Sequence, residues 1–214
     1  MERKVTKIQA QKKNPDRVSI FLDDEFAFGL SRVVAAWLKT GDVLTKEKIN
    51  KLRQQDSYEV ALQKALNFLS YRPRSESEVR KKLIEKEFET AVIDNVIERL
   101  RKLNYLGDLE FARQWVENRS TFRPRGSRAL TAELKIKGVD EATIAQALSE
   151  MPEEEQLAFE AAKKYVNRLK GLDRDKFRSR LGGFLGRRGF GYETIYKVVE
   201  ETWQAIQSED ASHS

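Results

Sequence analysis

The chain has 214 residues, with 40 Lys and Arg, 34 Asp and Glu, no Cys, and a single His at position 213. The missing cysteines exclude disulfides, thiolate zinc sites and Cys nucleophiles, and a lone penultimate imidazole argues against His-based metal sites and acid–base catalysis. With 35% charged and 40% hydrophobic residues the composition suits thin helical layers better than a thick globule.

Met1-Glu2-Arg3-Lys4 lacks the apolar stretch of a signal peptide, and no run approaches a membrane span, so a soluble cytoplasmic protein is expected. The head, 1–57, alternates apolar and polar residues at Val5, Ile8 and Ala10, at Val18, Ile20 and Leu22, and at Phe26 and Phe28. Asn14-Pro15-Asp16 and Asp23-Asp24 are turn signals between these runs. A small sheet of two or three strands is expected, built on a β-hairpin and followed by helices near 31–39 and 46–55.

Beyond the head the chain repeats itself every 51 residues. Leu83, Leu134 and Leu185 coincide, as do Phe88, Val139 and Phe190, and Ile93, Ile144 and Ile195. Arg72-Pro73-Arg74 matches Arg123-Pro124-Arg125, and Ala61 matches Ala112. Each copy reads as three helices, over 58–108, 109–152 and 153–207. Pro73 ends the first helix of the first copy, and Ser75-Glu76-Ser77-Glu78 has the form of a capping box opening the second. Gly138 and Gly189 fall where helix two must stop, which suits a left-handed C-terminal cap; the first copy has Glu87 there. Asp140 is expected to cap helix three of the second copy, and Asp108 the helix that opens it. A frayed tail is expected over 208–214. The fold class is therefore mainly α: a tandem array of three three-helix, helix-turn-helix-like repeats behind a small β-hairpin and helix head, elongated and curved.

Nothing in this order assembles a catalytic site. Asp23-Asp24-Glu25 could in principle hold Mg²⁺, but a hairpin tip demands the same residues and is favoured. The glycine-rich run 182–191 lacks the lysine–hydroxyl ending and the preceding strand of a phosphate loop; its glycines would permit close helix packing or loosen the second helix. Neither a cofactor nor a small-molecule substrate is expected, and the chain is expected not to be an enzyme. Charge is the remaining signal: between Lys163 and Arg188 there are ten Lys and Arg against two acids. Basic residues recur at the helix-one/helix-two corners: Arg72, Arg74, Lys81 and Lys82, then Arg119, Arg123, Arg125, Arg128, Lys135 and Lys137, then Arg178, Arg180, Arg187 and Arg188. Arginine near a helix N-terminus opposes the macrodipole, so its recurrence points to an anionic partner, although a solvated polar face would show the same residues.

Arg74-Ser75-Glu76-Ser77-Glu78 with Leu83, and Leu103-Asn104-Tyr105-Leu106-Gly107-Asp108 with Phe111-Ala112, resemble the RecX recombination regulators. So do Arg119, Arg125-Gly126, Glu133-Leu134, Lys137-Gly138-Val139 and Ile144, and the resemblance runs from about Val5 to Thr202. The chain departs from the family at Asn104, usually Gly, and at Gly107, usually Asp or Asn; Asn104 still suits a left-handed helix end. The resemblance implies a modulator that binds the RecA–single-stranded-DNA filament and damps strand exchange, ATP hydrolysis and LexA cleavage in DNA repair and the SOS response. Single-stranded DNA would be touched directly or only through RecA. The basic corners would then be contact points. The residues alone also allow a sequence-tolerant DNA-binding protein acting through a basic helical face.

Overall fold

The computed structural model describes residues 2–212. The chain divides into two compact units, Met1–Arg74 with Glu78–Leu106, and Ser75–Ser77 with Gly107–Ser214.

In the first unit, strands β1 (Glu2–Gln11), β2 (Asn14–Leu22), β3 (Glu25–Ser31) and β4 (Val43–Thr45) form an antiparallel sheet in the order β3-β2-β1-β4. The two- or three-stranded expectation misses β4, whose three residues are too short to show alternation. Asp23 and Asp24 turn β2 into β3 with φ of 50° and 66°, the left-handed pair that a two-residue hairpin loop requires. The Asp23 carboxylate accepts from Arg3 Nε at 2.8 Å and from the Lys4 N–H at 3.0 Å. These residues therefore serve the turn and its bracing.

Helix α1 (Arg32–Ala35) is one turn long, shorter than the helix expected over 31–39, and α2 (Lys46–Leu69) is a single helix of 24 residues. The sequence pattern suggests two helices there, but no Gly or Pro lies between Lys46 and Leu69 to separate them. One helix therefore serves two layers. Its first half packs Ile49 and Leu52 against the sheet core of Val5, Ile20, Leu22, Leu30 and Leu44. Its second half supplies Ala61 and Ala65 to a core shared with α3 (Glu76–Ile84) and α4 (Thr90–Lys102). Asp56, at the midpoint, accepts from Arg17 Nη2 at 2.8 Å and from the Ser31 N–H at 2.6 Å, tying helix to sheet.

The second unit holds α5 (Asp108–Phe122), α6 (Ser127–Ile136) and α7 (Glu141–Ser149), then α8 (Glu154–Val166), α9 (Arg174–Arg187) and α10 (Tyr192–Ser212). A 3-10 turn over Asn167–Leu169 extends α8. Helix α9 passes unbroken through its three glycines, with Gly182 and Gly186 facing Ile195. Where a frayed tail is expected from Ser208, α10 continues to Ser212; His213 and Ser214 lie outside the described residues. Among the described residues no helix is long and apolar enough to cross a membrane.

The 51-residue register survives in three dimensions. Leu83, Leu134 and Leu185 are each fully buried, and Ile93, Ile144, Val96, Ala147 and Val198 line the matching cores. The helix-two stops are the same motif three times, with φ of 61° at Glu87, 77° at Gly138 and 83° at Gly189. The next N–H returns to the buried leucine carbonyl in each: Phe88 to Leu83 at 3.3 Å, Val139 to Leu134 at 3.1 Å, Phe190 to Leu185 at 3.4 Å. This is a Schellman cap, and the first copy closes it with a glutamate held left-handed. Asn104, at φ 56°, ends α4 in the same way. Asp140 caps α7 through the Thr143 N–H at 3.0 Å. Asp108 departs from expectation: Gly107 occupies the cap position, and Asp108 Oδ1 accepts from the Glu76 N–H at 2.8 Å, closing the start of α3.

Candidate functional site

The basic corners are built by the repeat. Only Arg72, Arg74, Arg123 and Arg125 flank Pro73 and Pro124 between an opening helix and helix two. Arg119 lies in the last turn of α5 and Arg128 in the first turn of α6, whereas Lys81, Lys82, Lys135, Lys137, Arg187 and Arg188 lie in the last turn of helix two or just past it. Arg178 and Arg180 lie within α9, away from the corners expected for them. The structure divides the expected residues into two classes, because Glu78, Glu133 and Glu200 take up several of the guanidiniums.

At the first corner, Glu78 accepts from Arg72 Nη2 at 2.9 Å and lies 3.8 Å from Arg74. Arg74 also stacks over Phe68, 4.0 Å from the ring centroid. Burial first, and Arg72 second, push its guanidinium below the usual value, with Glu78 opposing. Lys82 pairs with Glu85, while Lys81 is exposed with no carboxylate within 4 Å among the described residues.

At the second corner Glu133 is the hub. It accepts from Trp115 Nε1 at 2.8 Å and Arg119 Nε at 2.9 Å, and it pairs with Arg125 Nη1 at 2.8 Å. Arg119 and Lys137 both lie over the Trp115 ring, at 4.4 and 5.3 Å. Lys135 pairs with Glu141. Arg123 and Arg128 are exposed, with no carboxylate within 4 Å among the described residues.

In the third copy Glu200 receives Arg174 at 2.8 Å and Arg178 at 3.2 Å. Arg180, Arg187 and Arg188 have no such partner among the described residues. Arg188 is half-buried, lies 4.4 Å from the Phe184 ring and donates to the Pro124 carbonyl at 3.2 Å. Phe184 is itself stacked on Tyr165, centroids 3.9 Å apart and planes 3° from parallel. Burial foremost, then Arg125 and Arg123, lower the Arg188 pKa.

The opening of helix two is docked on a helix-two end one register away. Ser75 Oγ donates to the Lys137 carbonyl at 2.6 Å, and 51 residues on the Gly126 N–H donates to the Arg188 carbonyl at 3.0 Å. A Cβ on Gly126 would lie 2.6 Å from the Gly189 carbonyl carbon and from the Phe190 nitrogen, so only glycine permits this approach. The joint brings Arg123 and Arg125 beside Arg187 and Arg188, around a concavity of about 360 Å³ that Phe184 also lines.

Glu78 was singled out from the sequence for a capping box and Glu133 as part of a family motif, neither of them as an anchor for arginines. Glu133 carried a signal, as the only acid between Arg119 and Lys137. Glu200 carried none, lying 22 residues from Arg178. The Phe184–Tyr165 stack likewise has no sequence signature. What remains available to a partner is a set of cations, Lys81, Arg123, Arg128, Arg180, Arg187 and Arg188, together with two exposed aromatics at equivalent positions, Tyr71 and Phe122.

Four family models match the chain: the regulatory protein RecX N-terminal domain over 3–45, and the first, second and third RecX three-helix domains over 61–100, 108–148 and 153–199. Regulatory protein RecX of Bacillus pumilus (strain SAFR-032) is 36% identical over 209 residues, covering 96% of this chain and 80% of that one. Regulatory protein RecX of Bacillus subtilis (strain 168) is 36% identical over 201 residues, covering 92% and 76%. A crystal structure of regulatory protein RecX superposes with a TM-score of 0.72 at 27% identity, covering 93% of this chain and 99% of its own. That of RecX from Lactobacillus salivarius, at 24% identity and a TM-score of 0.63, covers 69% and 97% and shares the fold. With three three-helix domains behind a strand head, and relatives matched over most of its length, the chain belongs to the RecX family of regulatory proteins.

Proposed function

We propose that the protein binds the RecA–single-stranded-DNA filament in the cytoplasm and restrains it, lowering strand exchange, ATP hydrolysis and LexA cleavage, and that it acts by binding without catalysis. The observation that carries this is the pairing of family membership with cations left uncompensated in each three-helix domain. A filament presents identical subunits in series, and tandem domains contacting neighbouring subunits gain avidity from individually weak sites. Arg123 and Arg187 are the informative probes, because Arg125 is tied to Glu133 and reversing its charge would set two carboxylates together.

The test is RecA's single-stranded-DNA-dependent ATPase with added protein. Suppression near stoichiometric ratios is expected, weakened by Arg123→Glu with Arg187→Glu at unchanged helical content; no effect at stoichiometric or higher ratios refutes the proposal. A second function, sequence-tolerant DNA binding through the basic helical face, is favoured by the unpaired Arg128 and Arg180. It requires naked-DNA affinity that falls with salt at a slope of roughly −0.7 per phosphate neutralised on single strands. Co-sedimentation with preformed RecA filaments against naked single-stranded DNA separates the two.

A further inference from the structure

Four arginines gather on one side of the joint between the second and third three-helix domains, while Glu154 bridges the joint by accepting from Ser127 Oγ at 2.6 Å and from the Gly191 N–H at 3.0 Å. Arg123 and Arg125 come from the linker between α5 and α6, and Arg187 and Arg188 from the end of α9. Of the four, only Arg125 has a carboxylate within 4 Å among the described residues, and it shares that carboxylate, Glu133, with Arg119. Three guanidiniums are thus uncompensated around one concavity. The neutral backbone contacts of the joint (the Gly126-to-Arg188 hydrogen bond and the Gly126–Gly189 approach) hold them there against their mutual repulsion.

Two of the four guanidiniums, those of Arg188 and Arg125, are also held in place, while Arg123 and Arg187 are exposed. Arg188 is pinned between the Phe184 face and the Pro124 carbonyl, and Phe184 is backed by Tyr165. The Arg125 Nε is buried without a hydrogen-bond partner. Planar forked donors fixed in advance suit an anion that offers several oxygens. A carboxylate, with one charge and two oxygens, serves one fork. A phosphate group carries oxygens to several sides and can bridge forks from both domains.

We infer that this joint is a phosphate-oxyanion site, in which a phosphate group seated among Arg123, Arg125, Arg187 and Arg188 clamps the second and third three-helix domains together. The site requires neither RecA nor a filament. The phosphate comes either from a free oligophosphate or from a nucleic-acid backbone, and the concavity of about 360 Å³ admits more than one phosphate group.

The test uses the full chain at constant ionic strength. Sodium pyrophosphate is titrated by calorimetry, and a fluorescein-labelled oligothymidylate by anisotropy, with and without competing pyrophosphate. Amide exchange is read at residues 123–130 and 185–191. Pyrophosphate is expected to bind and to slow exchange in both segments. Arg123→Gln with Arg187→Gln is expected to weaken binding by about tenfold or more, the loss of two charge-assisted contacts, while leaving exchange without anion unchanged or slower. Arg123→Lys with Arg187→Lys keeps the charge, removes the forks and gives an intermediate affinity, which keeps the test informative should the glutamine variant misfold. Pyrophosphate binding alone assigns the source as a free phosphate compound; oligonucleotide binding that pyrophosphate displaces assigns it as the nucleic-acid backbone. Failure of both ligands to bind, or binding that the double variants leave intact, overturns the site. Because the two tests share Arg123 and Arg187, they are separated by the parent chain: these titrations contain no RecA, and suppression of the RecA ATPase by the parent chain is read without added phosphate compound.

Discussion

Replacing Gly126 by alanine tests the inter-domain joint at a single atom. Gly126 has φ −76°, which any residue adopts, so the substitution carries no backbone strain and reports the close approach alone. The added Cβ would lie 2.6 Å from the Gly189 carbonyl carbon and the Phe190 nitrogen, whereas ordinary contact begins near 3.4 Å. Both are backbone atoms that no rotamer can move, so the segments must part by about 0.8 Å. That stretches the Gly126-to-Arg188 hydrogen bond from 3.0 Å beyond the range of a good N–H···O contact. Overpacking of ~1–3 kcal/mol and a lost hydrogen bond of ~1 kcal/mol together weaken the joint by ~2–4 kcal/mol. The assay is amide hydrogen exchange at residues 126–130, expected to accelerate by about 30-fold to about 700-fold. Gly171→Ala is the control: its φ of 76° is strained, but a Cβ there meets nothing within 4 Å, so exchange at the joint is expected to stay unchanged. Exchange in Gly126→Ala within about twofold of the parent would refute the close-approach argument.

Further outcomes follow from the same geometry. Glu87→Gly relieves the left-handed strain of a non-glycine Schellman cap and is expected to stabilise the first three-helix domain by up to ~1 kcal/mol in urea unfolding, set against glycine's own entropy cost. Asp56→Ala, which strands Arg17 and the Ser31 N–H, is expected to destabilise the sheet–α2 attachment by ~2–4 kcal/mol on the same measurement. Glu133→Ala is expected to free Arg119 and Arg125 and to red-shift the fluorescence of Trp115, whose indole N–H loses its acceptor; no spectral change would count against the hub. The caps respond to acid. Asp140 is held below the usual carboxylate range by the Thr143 hydroxyl and N–H, and Asp173 by the Lys176 side chain and N–H. Both bind fewer protons folded than unfolded, so their stabilisation is complete above the unfolded carboxylate value near ~4 and is lost as pH falls through the lower folded value. Asp140→Asn with Asp173→Asn, which preserves capping without titration, is expected to flatten the acid limb of the stability curve.

The three-helix period was legible in the sequence because its signals are local. Buried leucines recur 51 residues apart, proline stops the opening helices, and glycine marks the left-handed ends; each follows from the conformational limits of one or two residues. Even Glu87, which carries no such mark, is placed by its register with Gly138 and Gly189. The Asp23-Asp24 turn was legible for the same reason. Three features were not: the continuity of α2 across head and repeat, the three-residue β4, and the transfer of Asp108 from capping its own helix to binding the Glu76 N–H. β4 and the Asp108 contact depend on a neighbour distant in the chain, while α2 runs on because no Gly or Pro interrupts a pattern that otherwise reads as two helices.

The candidate site divides in the same way. Sequence alone determined that basic residues recur with the repeat, since this follows from the register and the charge count. Only the tertiary structure decided which cations are spent and which are free. Glu78, Glu133 and Glu200 each hold two arginines, at separations from four residues to more than twenty, and the energy of an ion pair depends on distance in space. Hence Arg125 is partly neutralised, while Arg123, two residues earlier, joins Arg187 and Arg188 across a joint that Gly126 and Gly189 alone are small enough to make.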